Sequence, residues 1–161
     1  MIRPVEERDC GAVVEIYNHY IAHTAVTFEE IELSVTQMSR RIAGIRGLNL
    51  PWLVAEEEGE LIGYAYAGKW RERSAYRYSV ESTIYLAPDR LGKGWGKRLY
   101  AALFEQLKTL EIHAVIGGIT LPNPASVALH EKMGMCKVAE FPEVGFKQGQ
   151  WLDVGYWQLT M

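Results

Sequence analysis

Cysteine is nearly absent. The 161 residues hold two, Cys10 and Cys136, which form neither a CxxC motif nor a disulfide framework. Reduced thiols are the expected state of both, as in a cytoplasmic protein. Residues 1–9, Met-Ile-Arg-Pro-Val-Glu-Glu-Arg-Asp, contain no apolar stretch of the kind a secretory signal needs, which fits the same compartment. No apolar run approaches the ~20 residues of a membrane span, so no membrane association is expected. A basic excess is missing too: 17 Lys+Arg stand against 20 Asp+Glu, a net charge of -3, which argues against a general nucleic-acid partner. Repeats, low-complexity stretches and linkers are also absent, and the length suits one domain over 1–161.

What is present supports a packed core. The chain is 48% apolar and carries 5 Trp, 9 Tyr and 4 Phe, which excludes intrinsic disorder. A domain of this size buries roughly 70% of the surface its unfolded chain exposes, so it needs neither disulfides nor a structural metal. Glycine is in mild excess, 15 residues against the usual ~7%.

Periodicity and punctuation place the elements. A short strand is expected over 1–5, then a helix with Asp9 as N-cap and Val13, Ile16, Tyr17, Tyr20 and Ile21 on its apolar face. Ser34-Val-Thr-Gln37 has the form of a capping box, and Val35, Met38, Ile42 and Ile45 continue a second helix. Strands at 51–56 and 61–67, joined at Glu58-Gly59, read as a hairpin. A basic aromatic loop, 69–76, leads to a strand at 78–86, which Pro88 ends. Gly92-Lys-Gly-Trp-Gly96 then opens a helix with Leu99, Ala102, Leu103, Leu107 and Leu110 on one face. A buried-type strand at 113–120 precedes a helix with Asn123 as N-cap, Pro124 in its first turn and Gly134 past its end. The remainder reads as strands joined at Gly149. The sum is an α+β domain: a mixed, mostly antiparallel sheet with one βαβ unit, covered by helices.

Three features carry chemistry. Gly92-Lys-Gly-Trp-Gly-Lys97 sits between a strand and a helix, where glycine-opened backbone N–H groups and the helix dipole make an anion cradle, reinforced by Lys93, Lys97 and Arg98. It matches neither a Walker A loop, which needs one more residue before Gly-Lys and then Ser or Thr, nor GxGxxG, which needs glycine at Lys97. As a bare Gly-rich loop it equally fits a simple turn. Asn123 and His130 share the helix downstream, where one alone would read as a cap and the other as a hydrogen-bonded core residue. Glu81 is the only charge on its strand and lies in the middle, on the face of Ser79, Thr83 and Tyr85. A carboxylate there is costly unless paired or solvated in a cleft, which makes it a candidate general base; an edge strand with a wet face would make it ordinary. His19 and His23 have the i, i+4 spacing of metal ligands but no third partner, so no metal is expected. Arg71, Arg73 and Arg77 suit bidentate clamping of a carboxylate or phosphate, or a solvated loop. Ser74 and Ser126 lack the Gly-x-Ser-x-Gly context of a nucleophile elbow.

Taken together, these residues resemble the GNAT family of acetyl-CoA-dependent N-acetyltransferases, most closely its phosphinothricin acetyltransferases and their bacterial relatives acting on methionine sulfoximine and methionine sulfone. The landmarks span nearly the whole chain: Ile16-Tyr-Asn-His-Tyr20, Pro51-Trp-Leu-Val-Ala-Glu56, Glu81-Ser-Thr-Ile-Tyr85, Gly92–Tyr100, Leu121-Pro-Asn123, Ser126-Val-Ala-Leu-His-Glu131 and Gly149-Gln-Trp-Leu-Asp-Val-Gly-Tyr-Trp-Gln158. The resemblance implies a three-layer α/β/α arrangement around a splayed sheet and acetyl-CoA as co-substrate. Backbone groups of Ile84, Tyr85 and Leu86 would pair with its pantetheine arm. Gly92, Lys93, Gly94, Trp95, Gly96 and Lys97 would hold its pyrophosphate, with Asn123 and Ser126 close to the arm. Glu81 would be the base. Ser74, Ala75 and Tyr76, with Arg71, Arg73 and Glu81, would line an amino-acid pocket. Relatives are commonly homodimers, and detoxification of herbicide-like analogues is the implied role. Two positions depart from the pattern: Leu91 stands where Gln or Arg usually begins the loop, with Arg90 one step off, and His130 stands where many members have the Tyr that protonates the departing thiolate. The phosphinothricin branch commonly has His there, so His130 is the implied acid.

The chemistry agrees. An ammonium cannot attack a thioester, so a base must first take its proton. Donors aimed at the oxyanion are needed, and holding both substrates together supplies proximity without a covalent acyl-enzyme. The expected reaction is acetylation of the α-amino group of a small amino-acid analogue. Its rivals are the same fold acting on a peptide N-terminus, a polyamine or an ordinary amino acid, and a non-catalytic CoA-binding sensor.

Overall fold

The computed structural model describes residues 1–161. It contains strands β1 (Ile2–Pro4), β2 (Trp52–Glu57), β3 (Glu60–Lys69), β4 (Ser79–Leu86), β5 (Ala114–Leu121), β6 (Cys136–Lys147) and β7 (Gln150–Thr160). The helices are α1 (Cys10–His23), α2 (Val35–Gly47), α3 (Trp95–Lys108) and α4 (Pro124–Lys132). The seven strands form one sheet in the order β1-β2-β3-β4-β5-β7-β6, and β4 with β5 is its one parallel pair. The sheet is therefore mixed and mostly antiparallel, with helices on both faces, as expected.

Two apolar clusters fill the layers. On one face Leu99, Leu103 and Leu107 of α3, with Val127 and Leu129 of α4, pack on Leu53, Ala65, Val80 and Val115. On the other, Val13, Ile16, Tyr17 and Ile21 of α1 and Met38 and Ile42 of α2 pack on Trp52, Val54 and Tyr64. The stripes that mark these helices in the sequence are buried or half-buried, except that Val35 at the start of α2 is exposed.

Local signals hold with one correction. Ser34 and Gln37 form both hydrogen bonds of the capping box, and Glu58 and Gly59 make the β2–β3 turn with φ of 52° and 81°. Asp9, however, does not cap α1 with its side chain. Its carboxylate accepts from Glu6 N–H at 2.8 Å and from two nitrogens of Arg3 at 2.7 and 2.9 Å. It is drawn off because Arg3, on β1, also bonds Glu56 on β2, so Asp9 ties the entry to α1 to the sheet edge. The guanidinium holds the Asp9 carboxyl below its ordinary range, against the opposing effect of burial.

Candidate active site

The site begins where the sheet comes apart. β4 and β5 pair only over Ser79–Glu81 and Ala114–Ile116, yet β4 runs on to Leu86 and β5 to Leu121. Beyond Glu81 the facing edges diverge, and backbone groups there have no ladder partner. Which groups those are follows from the β3 side. Ala87 N–H donates to Ile62 C=O at 2.8 Å and Trp70 N–H to Ser79 C=O at 3.4 Å. Antiparallel bonding alternates along the strand, so Glu81, Thr83 and Tyr85 bond to β3, while Ser82, Ile84 and Leu86 turn their backbone groups to the gap. Tyr85, expected to join Ile84 and Leu86 in this role, has its main chain occupied by Tyr64 instead. The Leu86 carbonyl also accepts from the Tyr20 hydroxyl at 2.5 Å, which leaves Ile84 as the most open position.

A cavity of about 130 Å³ occupies the gap. It gathers Glu81, Ile84 and Tyr85 of β4 with Asn123, Ser126 and His130 of the α4 segment. Val26, Ser82 and Tyr100 also line it; Ser82 and Tyr100 fall within the landmark stretches of the sequence, but none of the three is singled out there for a role. Asn123 caps α4: its Oδ1 accepts from Ser126 N–H at 3.2 Å, so its amide N–H groups remain free for a ligand.

Glu81 stands opposite Gly68 on β3 and beside Ile116 on β5, at the point where the gap opens. Burial raises its carboxyl pKa above the ordinary value, and no cation offsets that effect. A carboxylate with a raised pKa, at the mouth of a cavity and without a partner, is suited to accept a proton.

His130 is buried, and burial holds its imidazole below the ordinary pKa, against a smaller raising effect from the Ser126 backbone bond. Nδ1 lies 2.7 Å from the Ser126 carbonyl oxygen and Nε2 lies 3.1 Å from the Tyr100 hydroxyl. Gly117 on β5 leaves the space for this ring: a Cβ there would meet His130 Cδ2 and Nε2 at 2.7 Å.

The glycine-rich loop serves two purposes. Gly92 and Gly94 adopt φ of 74° and 83° with open space around them, and Gly94 is the N-cap of α3. With no side-chain cap and no acid in the first turn, the N–H groups of Trp95, Gly96 and Lys97 are free beside exposed Lys93 and Lys97. The Trp95 side chain, by contrast, is buried in the core under Arg98, whose guanidinium lies 3.9 Å from the ring centroid. Gly96 is also buried, and a Cβ there would come within 3.1 Å of Leu129, so its smallness lets α3 approach α4. Arg90 is engaged elsewhere, bonded to Glu60 at 3.0 Å. The gap with its unbonded edge, the free helix N-terminus with two lysines and the open Asn123 amide together fit an extended, amide-bearing cofactor that ends in phosphates.

Residues 71–76 are all exposed and lie outside the cavity lining. Arg71 stacks on Trp70, whose ring meets Tyr156 edge-on at 5.7 Å, and neither Arg71 nor Arg73 forms an ion pair. Arg77 instead closes its own turn by donating to the Ser74 carbonyl. His19 and His23 lie side by side on α1, and no group of three or more His, Cys, Asp or Glu side chains could hold a metal ion.

A parallel pair that splays beside a cationic helix start fits an acyl-CoA-dependent acyltransferase. Comparison with known proteins makes the assignment particular: residues 2–155 match the acetyltransferase (GNAT) domain, and the chain belongs to that family. It is 36% identical, over 99% of its length and 94% of the relative, to the L-methionine sulfoximine/L-methionine sulfone acetyltransferase of Salmonella typhimurium. It is 37% identical, over 99% and 93%, to an L-amino acid N-acyltransferase of Escherichia coli. Among solved structures it resembles a phosphinothricin acetyltransferase of Sinorhizobium meliloti in complex with acetyl-CoA, at TM-score 0.97 and 36% identity over 100% of this chain and 88% of that one. The chain is thus an acetyl-CoA-dependent N-acetyltransferase of the GNAT type.

Proposed function

We propose that this enzyme acetylates the α-amino group of a small amino-acid analogue of the phosphinothricin, methionine sulfoximine or methionine sulfone type, by direct attack on the thioester. The observation that carries the reading is Glu81, a carboxylate without a partner whose pKa is raised by burial, at the point where β4 and β5 separate. Glu81 takes the proton that keeps the substrate nitrogen from attacking. The unbonded edge of Ile84 and the Asn123 amide hold the pantetheine arm, and the loop from Gly92 to Lys97 holds the pyrophosphate. Acetyl-CoA supplies an activated acyl group, and the free N–H groups along the gap are the donors for its carbonyl oxygen. Arg71 and Arg73, cationic and without ion-pair partners, receive the substrate carboxylate at the entrance.

Ordinary L-amino acids are the second reading, favoured by the similarity to the Escherichia coli L-amino acid N-acyltransferase. Thiol release from acetyl-CoA, measured over phosphinothricin, methionine sulfoximine, methionine sulfone, common amino acids, polyamines and a peptide, separates the two. The expected result is highest kcat/KM for the oxidised or phosphinic analogues; preference for a polyamine or peptide overturns the proposal.

The reading extends to a one-domain, cytoplasmic homodimer. β6 is an edge strand, and Val138, Phe141, Val144, Phe146 and Trp151 on the β6–β7 hairpin are each at least half exposed. An edge that combines free backbone groups with this much apolar surface is suited to a second copy. Light scattering should give twice the chain mass, and a monomer at micromolar concentration removes this part.

A further inference from the structure

The polar groups between β4, α3 and α4 form one line. Ser82 Oγ donates to Tyr100 Oη at 3.3 Å, and Tyr100 Oη is 3.1 Å from His130 Nε2. The carbonyl of Ser126, 2.7 Å from Nδ1, can only accept, so the neutral ring carries its proton on Nδ1 and offers a lone pair at Nε2. Both imidazole nitrogens are thereby occupied, one by backbone and one by a phenol. Gly117 and the edge-on Tyr100 ring, 5.2 Å away at 85°, hold that orientation. The hydroxyls of Tyr100 and Ser82 are the members of the line that face the cavity without a backbone tie.

We propose that Tyr100, on α3, delivers the proton to the thiolate leaving group, and that His130 is a positioning residue that orients Tyr100 and recharges it. This rests on the acetyl-transfer reading above and changes the part His130 plays in it. A phenol alone is the wrong donor: its ordinary pKa of ~10 lies above that of a thiol at ~8.5, and burial pushes Tyr100 further up. When His130 is protonated at both nitrogens, Nε2–H donates to Tyr100 Oη and the phenolic hydrogen turns toward the cavity. The phenolic O–H bond then breaks as S–H forms, and the Nε2 proton moves to the phenolic oxygen. A free thiol, a neutral tyrosine and an Nδ1-protonated imidazole remain; one proton from solvent, passed along the same hydroxyls, restores the cycle. The titratable groups near this ring are Tyr100 from α3 and, beyond the sheet, Glu81 of β4; from its own helix it meets only Ser126. No carboxylate bonds to the ring to stabilise its charge.

The test has two arms. In the ligand-free protein, nitrogen NMR of His130 should show a single Nδ1-protonated tautomer whose Nε2 resonance and titration midpoint shift in Tyr100→Phe, which keeps the aromatic ring. An Nε2-protonated tautomer, or a titration unmoved by Tyr100→Phe, overturns the proposal. In turnover, Tyr100→Phe and His130→Gln should each lower kcat by about 100-fold at KM values within twofold of the parent. The double variant should be no slower than Tyr100→Phe, and the loss of rate on raising pH through the His130 midpoint should vanish in both single variants. A Tyr100→Phe enzyme at full kcat beside a slow His130→Gln, or additive losses in the double variant, shows that His130 acts on its own and overturns the relay. Absence of thiol release by the parent enzyme with every amine instead removes the acetyl-transfer reading, and the NMR arm still decides the hydrogen-bond line.

Discussion

Glu81 and Ser82 are neighbours in sequence and face different chemical worlds. On the α1/α2 face of β4, Glu81, Thr83 and Tyr85 look onto a layer rich in phenols: Tyr17 and Tyr20 lie 5.2 and 5.1 Å from the Tyr85 ring, and Tyr64 lies 5.8 Å from it. Polar bonds abound there. Tyr17 bonds Thr27 and Glu29, Arg41 makes two bonds to Glu29, and the buried Lys147 ammonium donates to the Ile21 and Thr27 carbonyls at 2.9 and 2.8 Å. These bonds pin the 24–34 segment, which brings Val26 to the cavity. On the α3/α4 face, Val80, Ile84 and Leu86 join an apolar cluster, and the Ser82–Tyr100–His130 line is the polar thread through it. One strand, by its two-residue period, thus sets a carboxylate without a partner on one side and the Ser82–Tyr100–His130 hydrogen-bond line on the other. The opening in the sheet is where the two sides meet.

That contrast can be broken in order of expected effect. Glu81→Gln removes the acceptor while keeping shape; kcat should fall by about 10²–10⁴-fold with acetyl-CoA affinity unchanged by calorimetry, and undiminished turnover removes Glu81 from the mechanism. Gly94→Val strains a left-handed position by about 1–3 kcal/mol and puts a branched side chain at the helix start. Acetyl-CoA affinity should fall at least ~10-fold, and normal binding refutes the loop as the phosphate site. Arg71→Ala and Arg73→Ala each remove up to about 1.5–3 kcal/mol of charged hydrogen bonding. KM for carboxylate-bearing amines should rise about tenfold with kcat nearly constant, and equal changes for amines that lack a carboxylate point away from the clamp.

The smallest effect concerns stability. Because burial raises the Glu81 pKa, the folded chain binds that proton more readily than the unfolded one, and stability falls as pH rises through the shifted pKa. At neutral pH the charge is therefore a cost, and Glu81→Gln should melt slightly higher than the parent, a gap that closes below the ordinary carboxylate range. A lower melting temperature for the variant at neutral pH refutes an unpaired Glu81. In activity, the same shift places the acid limb of the kcat/KM profile above the pH of an ordinary glutamate.

Elements with short-range signals were legible before the fold. The Ser34 capping box, the Glu58-Gly59 turn and the leucine stripe of α3 need only a few neighbouring residues to form. Asp9 misled because its competitor, Arg3, reaches it from a different element. In the site, Glu81 stood out as a lone charge on a strand, and Gly92 and Gly94 as glycines before a helix. Tyr100 and Ser82 look like ordinary members of an amphipathic helix and a strand, so neither could be singled out. Gly96 reads in the sequence only as part of the loop, and Gly117 as any other glycine, until the side chains they make room for, Leu129 and His130, are in place.

The sequence by itself determined the mixed, mostly antiparallel sheet with its helices, the family pattern and the identity of the lone carboxylate, because each depends on period, punctuation or charge within one stretch of chain. Only the tertiary structure decided which backbone groups of β4 are free, which loop glycines are open to a ligand and what His130 bonds to. Those depend on where β5 leaves β4 and on how α3 meets α4, which are contacts between segments far apart in the chain that no local pattern encodes.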